Sequence, residues 1–432
     1  MKYLTILLFF FASYRLDAQV DYRARVQENM QLLIKDSTLL KQVFTDDQGI
    51  HMRASSSAGR DEFLLRWSEI PTFLQYFHEF DYYEMVEFYN RKGTGPIYYE
   101  GKLPEFEREL PINFTELRIA IDPGHFAGSW KEALQERKYI KIQGEALGEE
   151  EDIEFYESQL TWATYEILKE ELESRGATVF VSRDRGESAV GKSFDEWYAE
   201  DFETDIKSLK ASKDLSPEVA NYLLRSQSKW ESFKYVYKYM DFVGRSRRIN
   251  DFKPHITLII HYNADEYSDR LQKRYWEPSF SNYSMFFVPG GFLSNELRKQ
   301  DARIEFLRLL VTPDLSASIA MADKLRLSHQ EILGVEAYPT DYPSNVLEYF
   351  SNYTGIPGVY ARNLYLTRAI ESPVVYCESL YQDNVDEAKL LAKRDFEING
   401  IKTSTRIKEV ANAYIKALED WIQDNELDYL KN

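Results

Sequence analysis

The sequence is poor in cysteine and histidine, and it lacks long apolar runs beyond its N-terminus. Its 432 residues include one cysteine, Cys377, and six histidines. A single cysteine excludes an intrachain disulfide and a cysteine-based zinc site, so a bound metal would need histidine and carboxylate ligands. No later apolar run is long enough to span a bilayer, and we expect no transmembrane segment in the mature protein.

Basic residues are scarce relative to acidic ones. The chain has 53 lysines and arginines against 71 aspartates and glutamates, which gives a formal net charge of -18 at pH 7. This balance argues against nucleic-acid binding, because that binding needs a basic surface to neutralise phosphates. The hydrophobic content of 44% is that of a globular protein, and the length allows two or three domains.

The N-terminus, "MKYLTILLFFFASYRLDAQ", has the pattern of a secretory signal peptide. Lys2 supplies a positive charge, the apolar stretch 4–12 is too short to cross a bilayer, and Ala18 is the small residue that a cleavage site requires. We therefore predict a signal peptide over 1–18 and export to the periplasm or the extracellular space.

The rest of the chain divides into two parts by pattern. Residues 19–115 are rich in aromatics and predict a mainly helical N-terminal region, whose role the sequence does not reveal, ending in a Gly- and Pro-containing linker, "RKGTGPIYYEGKLPEF". Residues 116–432 alternate strands with helices, which predicts an α/β fold with a mostly parallel open sheet flanked by helices and interrupted by long insertions. The strands are expected at 117–122, 178–184, 255–265, 284–290 and 373–379, with a helix over 160–176.

Polar side chains lie at the C-terminal ends of three of the predicted strands. His125 comes after the first strand, in "IAIDPGHFAG", His261 ends the third and Glu378 ends the fifth. Because ligands bind beyond the carboxyl ends of strands in open α/β sheets, we expect these residues to converge. Two histidines and a carboxylate with one open position are typical of catalytic zinc. The pattern leaves the third ligand open between Glu157 and Glu154.

Four stretches resemble, in order, motifs of the zinc-dependent N-acetylmuramoyl-L-alanine amidases of bacteria. They are "IAIDPGHFAG", "ESQLTWATYEILKEELESRGATVFVSRD", "LIIHYNAD" and "PVVYCESLYQDNVDEAKLL". The resemblance covers about residues 115–432, with long interruptions. It implies hydrolysis of the amide between N-acetylmuramic acid and L-alanine in peptidoglycan, with one zinc ion per chain.

The resemblance also implies roles for individual residues. His125, Glu157 and His261 take the positions of the zinc ligands, and Glu378 takes that of the catalytic glutamate. Glu157 is favoured over Glu154 because the helix then aligns without a gap. Residues expected to be structural are Arg245, Asn250, Asn384 and Glu387 from the motifs, together with Cys377, His51, His78, His255 and His329. Asp122 and Asn263 are candidates either for orienting the ligands or for capping turns.

The chain departs from the family pattern at several points. Phe126 and Ala127 replace a pair of glycines, Tyr262 replaces a small residue, and the spans 186–240, 266–283 and 291–360 look longer than the family core needs. Zinc-dependent hydrolysis of a different amide therefore stays open. A wall-binding protein that has lost catalysis is disfavoured, because all four site positions carry chemically competent residues.

Two expectations concern partners and control. Peptidoglycan or muropeptide fragments would be the substrate, and a protein activator is possible for an enzyme of this kind. The acid-rich segment from Glu145 to Glu154 precedes the third ligand. It is either a solvated loop or a lid whose carboxylate occupies the zinc site and holds the enzyme inactive.

Overall fold

The computed structural model describes residues 21–97, 110–212, 214–265, 275–340 and 344–431. The predicted signal peptide over 1–18 lies outside these residues, and so does the second half of the predicted linker. Both therefore stay predictions, as does the domain boundary near residue 115. Among the described residues, no helix combines the length and the apolarity needed to cross a bilayer.

Within residues 21–97, the N-terminal region has three α-helices, two short 3-10 helices and a small antiparallel sheet, and the sequence did not predict this sheet. The elements are α1 (Tyr22–Leu33), β1 (Val43–Thr45), β2 (Gly49–Met52), β3 (Phe63–Arg66), α2 (Ile70–Glu79) and α3 (Tyr82–Lys92). Their buried side chains belong to the same apolar core as the α/β part of the chain. The Asn29 amide also donates to the carbonyl of Leu309, at 2.9 Å. The region is thus packed against the sheet layer.

The remaining strands form a central sheet and two hairpins. In chain order they are β4 (Arg118–Pro123), β5 (Tyr139–Ile142), β6 (Ile153–Tyr156), β7 (Thr178–Val181), β8 (Ile256–Asn263), β9 (Tyr283–Val288), β10 (Glu336–Ala337), β11 (Ser351–Tyr353), β12 (Val359–Arg362), β13 (Val374–Tyr381), β14 (Phe396–Ile398) and β15 (Ile401–Thr403). The sheet order is β11-β12-β9-β13-β8-β4-β7, with β10 beside β9. Pairing is antiparallel only for β9 with β13 and β11 with β12 within this sheet, so the predicted mostly parallel sheet is confirmed.

Helices cover both faces of the central sheet. They are α4 (Trp130–Glu136), α5 (Gly144–Leu147), α6 (Glu157–Ser174), α7 (Phe194–Glu200), α8 (Phe202–Ala211), α9 (Pro217–Ser226), α10 (Lys229–Ser232), α11 (Lys238–Phe252), α12 (Gln300–Val311), α13 (Asp314–Leu333), α14 (Asn345–Phe350), α15 (Tyr365–Ala369), α16 (Glu387–Ala392) and α17 (Thr405–Lys431). The predicted α/β class with flanking helices is therefore confirmed.

Alternation along the central strands explains why both faces are covered. In β8, Leu258 and Ile260 join the core shared with α6, α13 and α17, whereas Ile259 joins a second cluster with Ile249 of α11. Successive side chains of a strand point to opposite faces. A continuous apolar run such as this one is stable only when helices pack on both sides.

We expect Leu258→Ala to destabilise the protein by about 2–5 kcal/mol, because it leaves a cavity at a fully buried position of the central strand. Leu327→Ala is the matched control, since Leu327 lies on α13 and is 46% exposed. We expect the control to change stability by less than about 0.5 kcal/mol. Chemical denaturation of the three proteins measures the difference, and equal effects would contradict this packing.

Candidate active site

Three side chains from three separate elements meet at the carboxyl ends of the central strands. His125 follows β4, His261 lies near the end of β8, and Glu157 is the first residue of α6. Nε2 of His125 lies 3.2 Å from Glu157 Oε2, and Nδ1 of His261 lies 2.9 Å from Glu157 Oε1. All three potential ligand atoms lie within 4.8 Å of one another, which makes the group able to hold a metal ion.

The turn that carries His125 depends on a glycine. His125 has a left-handed backbone with φ of 57°. A Cβ on the preceding Gly124 would lie 2.3 Å from Cε1 of the His261 ring, so only glycine allows the two ligand-bearing strands to approach this closely. Thr161 of α6 donates to the Gly124 carbonyl at 2.7 Å, and Arg183 donates to the carbonyl of His125. The turn is thereby fixed by the neighbouring helix and strand.

Glu136 orients the ring of His125, a role that the sequence analysis did not assign. Its Oε1 lies 3.6 Å from Nδ1 of His125, and its carboxylate also accepts from the backbone N–H of Ala127 at 3.0 Å. Glu136 is itself buried. A carboxylate on the far nitrogen of a histidine fixes the tautomer that leaves Nε2 free for a metal.

The electrostatics of the site favour the protonation states that a metal requires. Burial opposes ionisation of Glu157, but the charges and hydrogen bonds of its histidine neighbours and the charge of Lys138, 3.9 Å away, hold its pKa well below the usual value. Burial lowers the pKa of His261 to about 4, although the hydrogen bond and the charge of Glu157 act to raise it. The site thus combines an ionised carboxylate with a neutral imidazole.

Glu378 lies beside the metal-capable group on the neighbouring strand. It pairs with His261 in the register of β13 and β8, so both side chains project from the same face of the sheet. Burial and the charge of Glu157 raise the pKa of Glu378 to about 8. Its Oε2 is buried and has no hydrogen-bond partner among the described residues. This carboxyl group is therefore suited to accept and return a proton near neutral pH.

Two observations show that the three candidate ligands suit a zinc ion: the kind of donor atoms they offer, and a ring nitrogen of His125 that makes no hydrogen bond to any described residue. Nε2 of His125 is buried and makes no hydrogen bond to any described residue, although it lies close to Glu157. Leaving a buried polar atom unpartnered is costly, and coordination of a metal removes that cost. Two imidazoles and one carboxylate form a ligand set that zinc enzymes use with one position open.

The other sequence-derived candidates lie in different surroundings. Glu154 is exposed on β6 and pairs with Lys141 of β5. Asp122 is buried and accepts from Ser182 and from Arg245, whose Nη1 lies 3.4 Å away. Asn263 accepts from the following backbone N–H, that of Ala264, at 2.9 Å. Asn263 therefore makes the contact of a turn cap. The side chain that lies beside the His125 ring belongs to Glu136 instead.

The motif residues expected to be structural make structural contacts. Arg245 contacts Asp241 at 2.8 Å, and Glu387 pairs with Arg406. The side-chain amide of Asn250 donates to the carbonyl of Ala369 and accepts from the backbone N–H of Glu371. Asn384 donates to the carbonyls of Ser279 and Ser281. Cys377 is buried on the sheet face opposite Glu378 and belongs to the main core. His255 accepts from the backbone of Arg118, and His329 is buried between Phe286 and Tyr414.

The departure from the family pattern at Phe126 has a physical explanation. The described residues of 194–212 and 214–237 form α7 to α10 and a π-helical stretch over Phe233–Tyr237, and they enclose a separate apolar cluster. Phe126 is buried in this cluster, against Phe233 and Tyr237. The bulky side chain therefore anchors a helical insertion directly beside the ligand turn.

The acidic segment forms α5 and the turn before β6. The carboxylates of Glu149, Glu150 and Glu151 are exposed, and Asp152 accepts from the backbone of Gly144 at 3.2 Å. None of them belongs to the metal-capable group found among the described residues. The proposal that this segment inhibits the enzyme stays a prediction.

Comparison with known families adds to this geometry. Residues 119–408 match the model of the N-acetylmuramoyl-L-alanine amidase family, more than half of the chain. The chain belongs to this family. The predicted enzyme class and the peptidoglycan amidase function are thereby confirmed, while the identity of the metal is not. No curated protein sequence is similar enough to the chain to count as a match.

Solved structures of cell-wall amidases are similar to the chain at low identity. Ami1 of Mycobacterium smegmatis is 13% identical over 72% of this chain and 99% of its own, with a TM-score of 0.39. The CwlD amidase of Clostridioides difficile, solved in complex with the GerS lipoprotein, is 14% identical over 72% of this chain and 100% of its own, with a TM-score of 0.38. At these values the structural likeness carries no argument, and membership rests on the family match.

We expect Gly124→Ala to weaken binding of a divalent metal about 10- to 100-fold, the range found when the orientation of a ligand is disturbed. The new Cβ would displace the His261 ring. Gly59→Ala is the control, because a Cβ there meets nothing within 4 Å. Metal titration of both variants measures the difference, and unchanged affinity in Gly124→Ala would refute the close approach of the two strands.

Proposed function

We propose that this amidase is a zinc enzyme that hydrolyses the bond between N-acetylmuramic acid and L-alanine in peptidoglycan outside the cytoplasm. His125, Glu157 and His261 hold the zinc ion, and Glu378 is the catalytic acid and base. The observation that carries the proposal is the buried contact of one carboxylate with two imidazoles beside a second carboxyl group on the same sheet face.

Zinc, when bound, supplies Lewis-acid chemistry that polarises the scissile amide carbonyl and acidifies water. Glu378 takes a proton from the attacking water through its unpartnered Oε2 and passes it to the nitrogen of the leaving L-alanine. The oxygen of the water becomes bonded to the carbonyl carbon and the carbon–nitrogen bond breaks. The charge of Glu136, beside the far ring nitrogen of His125, favours the tautomer that carries its proton on Nδ1.

The proposed location follows from the substrate and from the N-terminal pattern. Peptidoglycan lies outside the cytoplasmic membrane, and residues 1–18 have the composition of a signal peptide. A protein activator fits the same proposal.

We expect the purified enzyme to release peptides with N-terminal L-alanine from peptidoglycan, and a chelator to abolish the release. Glu378→Gln should lower turnover about 100- to 10,000-fold, because the reaction loses its general acid and base. Chromatography of the released peptides, with sequencing of their N-termini, measures both effects.

Two controls separate chemistry from folding in this experiment. Glu378→Gln should keep its bound zinc, since Glu378 is not among the three ligands, and Glu397→Gln on the exposed face of β14 should keep full activity. Release that survives the chelator would refute the zinc mechanism. Full turnover by Glu378→Gln would remove Glu378 from the chemistry.

A further inference from the structure

A cavity lies beside the turn that carries His125. Its lining is positively charged, whereas the protein as a whole is negatively charged. The cavity has a volume of about 540 Å³ and carries four cationic side chains. They are Arg183, Arg185, Arg394 and Lys402. No carboxylate side chain is found among the described residues that line it. In a chain with a formal net charge of -18, such a surface is a local exception.

The three exposed cations of this basic cavity make no ion pair with a described carboxylate, whereas the buried Arg183 lies in the field of Asp122, Asp241 and Glu136. Arg183 is 2% exposed, donates to backbone carbonyls, and its Nε has no acceptor within the described ranges. Arg185 and Lys402 are exposed, and neither has an ion-pair partner in the described part of the chain. Glu166, on the neighbouring turns of α6, is already engaged by Trp162 at 2.9 Å and Asn399 at 3.0 Å.

One wall of the basic cavity is held rigidly by the hairpin of β14 and β15. Ile398 pairs with Ile401, and the two residues between them, Asn399 and Gly400, both have positive φ. This is the tight turn that an Asn-Gly pair favours. Arg394 donates to the carbonyl of Lys402 at 3.1 Å, and Asn399 ties the turn to α6. The Arg394 guanidinium and the backbone that carries Lys402 are therefore held in place within the hairpin.

The opposite wall is shared with the metal-capable site. Ala127 and Gly128, which line the basic cavity, come two and three residues after His125 along the ligand turn. Ser158 and Gln159, also in the lining, follow Glu157 at the start of α6. A ligand seated in the basic cavity would thus contact the same chain segments that hold two of the candidate metal ligands.

We infer that the basic cavity is an anion site that binds the carboxylates of the peptide released from, or attached to, the amidase substrate. This inference rests on the proposed function for the identity of that peptide. A compact anion is favoured over a long polyphosphate because the field of the whole chain repels extended polyanions, whereas a local cluster of cations still attracts a small one. The cavity size suits a ligand of a few residues.

The direct test is titration calorimetry of the full-length zinc-loaded protein with L-alanyl-D-glutamate, which has two carboxylates, and with its diamide. We expect the dipeptide to bind about fivefold to tenfold more tightly than the diamide, the gain that two exposed charge contacts provide. The double variant Arg185→Gln/Lys402→Gln should lose this preference. Lys207→Gln, at an exposed lysine of α8 outside the cavity, should retain it.

Each alternative outcome is decisive for the basic cavity. If the double variant prefers the dipeptide over the diamide as strongly as the wild type does, the anion site is refuted. A second outcome is that the wild type binds inorganic pyrophosphate but not the dipeptide, and that the double variant does not bind pyrophosphate. That result would overturn the carboxylate assignment in favour of phosphate. Binding needs no turnover, so a protein that fails to cleave peptidoglycan but shows the expected preference would refute the proposed function alone.

Discussion

The carboxylate of Glu157 lies buried between the rings of His125 and His261, with a side chain that is 1% exposed. An isolated buried carboxylate is very costly, so its position requires partners that stabilise the charge. Two imidazoles, the backbone N–H of Tyr262 and the amide of Gln382 provide that stabilisation. The glycine turn, the start of α6 and the end of β8 are arranged so that these partners meet at one point.

The same constraint explains how the surrounding elements are built. The ligand turn is held from one side by α6, through Thr161, and from the other by Arg183 at the end of β7. The helical insertion packs on Phe126, and the hairpin of β14 and β15 packs on α6. Both elements lie against segments that carry candidate ligands.

Much of the fold and part of the site could be predicted from the sequence. The alternation of apolar runs with helical periodicity predicted the sheet, and polar residues directly after strands predicted that His125, His261 and Glu378 would converge. The choice between Glu157 and Glu154 could not be made from the pattern alone, because both precede the helix. In the structure they differ in surroundings, since Glu154 points from an exposed strand towards Lys141.

The features that were missed were missed for different physical reasons. Glu136 comes from a short helix with no distinctive pattern, and only the tertiary fold brings it to His125. Arg183 lies two residues after β7, but the predicted strand over 178–184 included it, so the strand-end criterion did not select it. The small N-terminal sheet was missed because its strands are three or four residues long, too short for their alternation to be distinguished from a loop.

The most direct test of the central claim is the zinc content of the purified protein, measured by mass spectrometry for the wild type, Glu157→Gln and Glu154→Gln. The account predicts one zinc ion per chain in the wild type and in Glu154→Gln, and little or none in Glu157→Gln with the fold intact. Retention of zinc by a folded Glu157→Gln variant would contradict the claim that the buried carboxylate between the two histidines holds the metal.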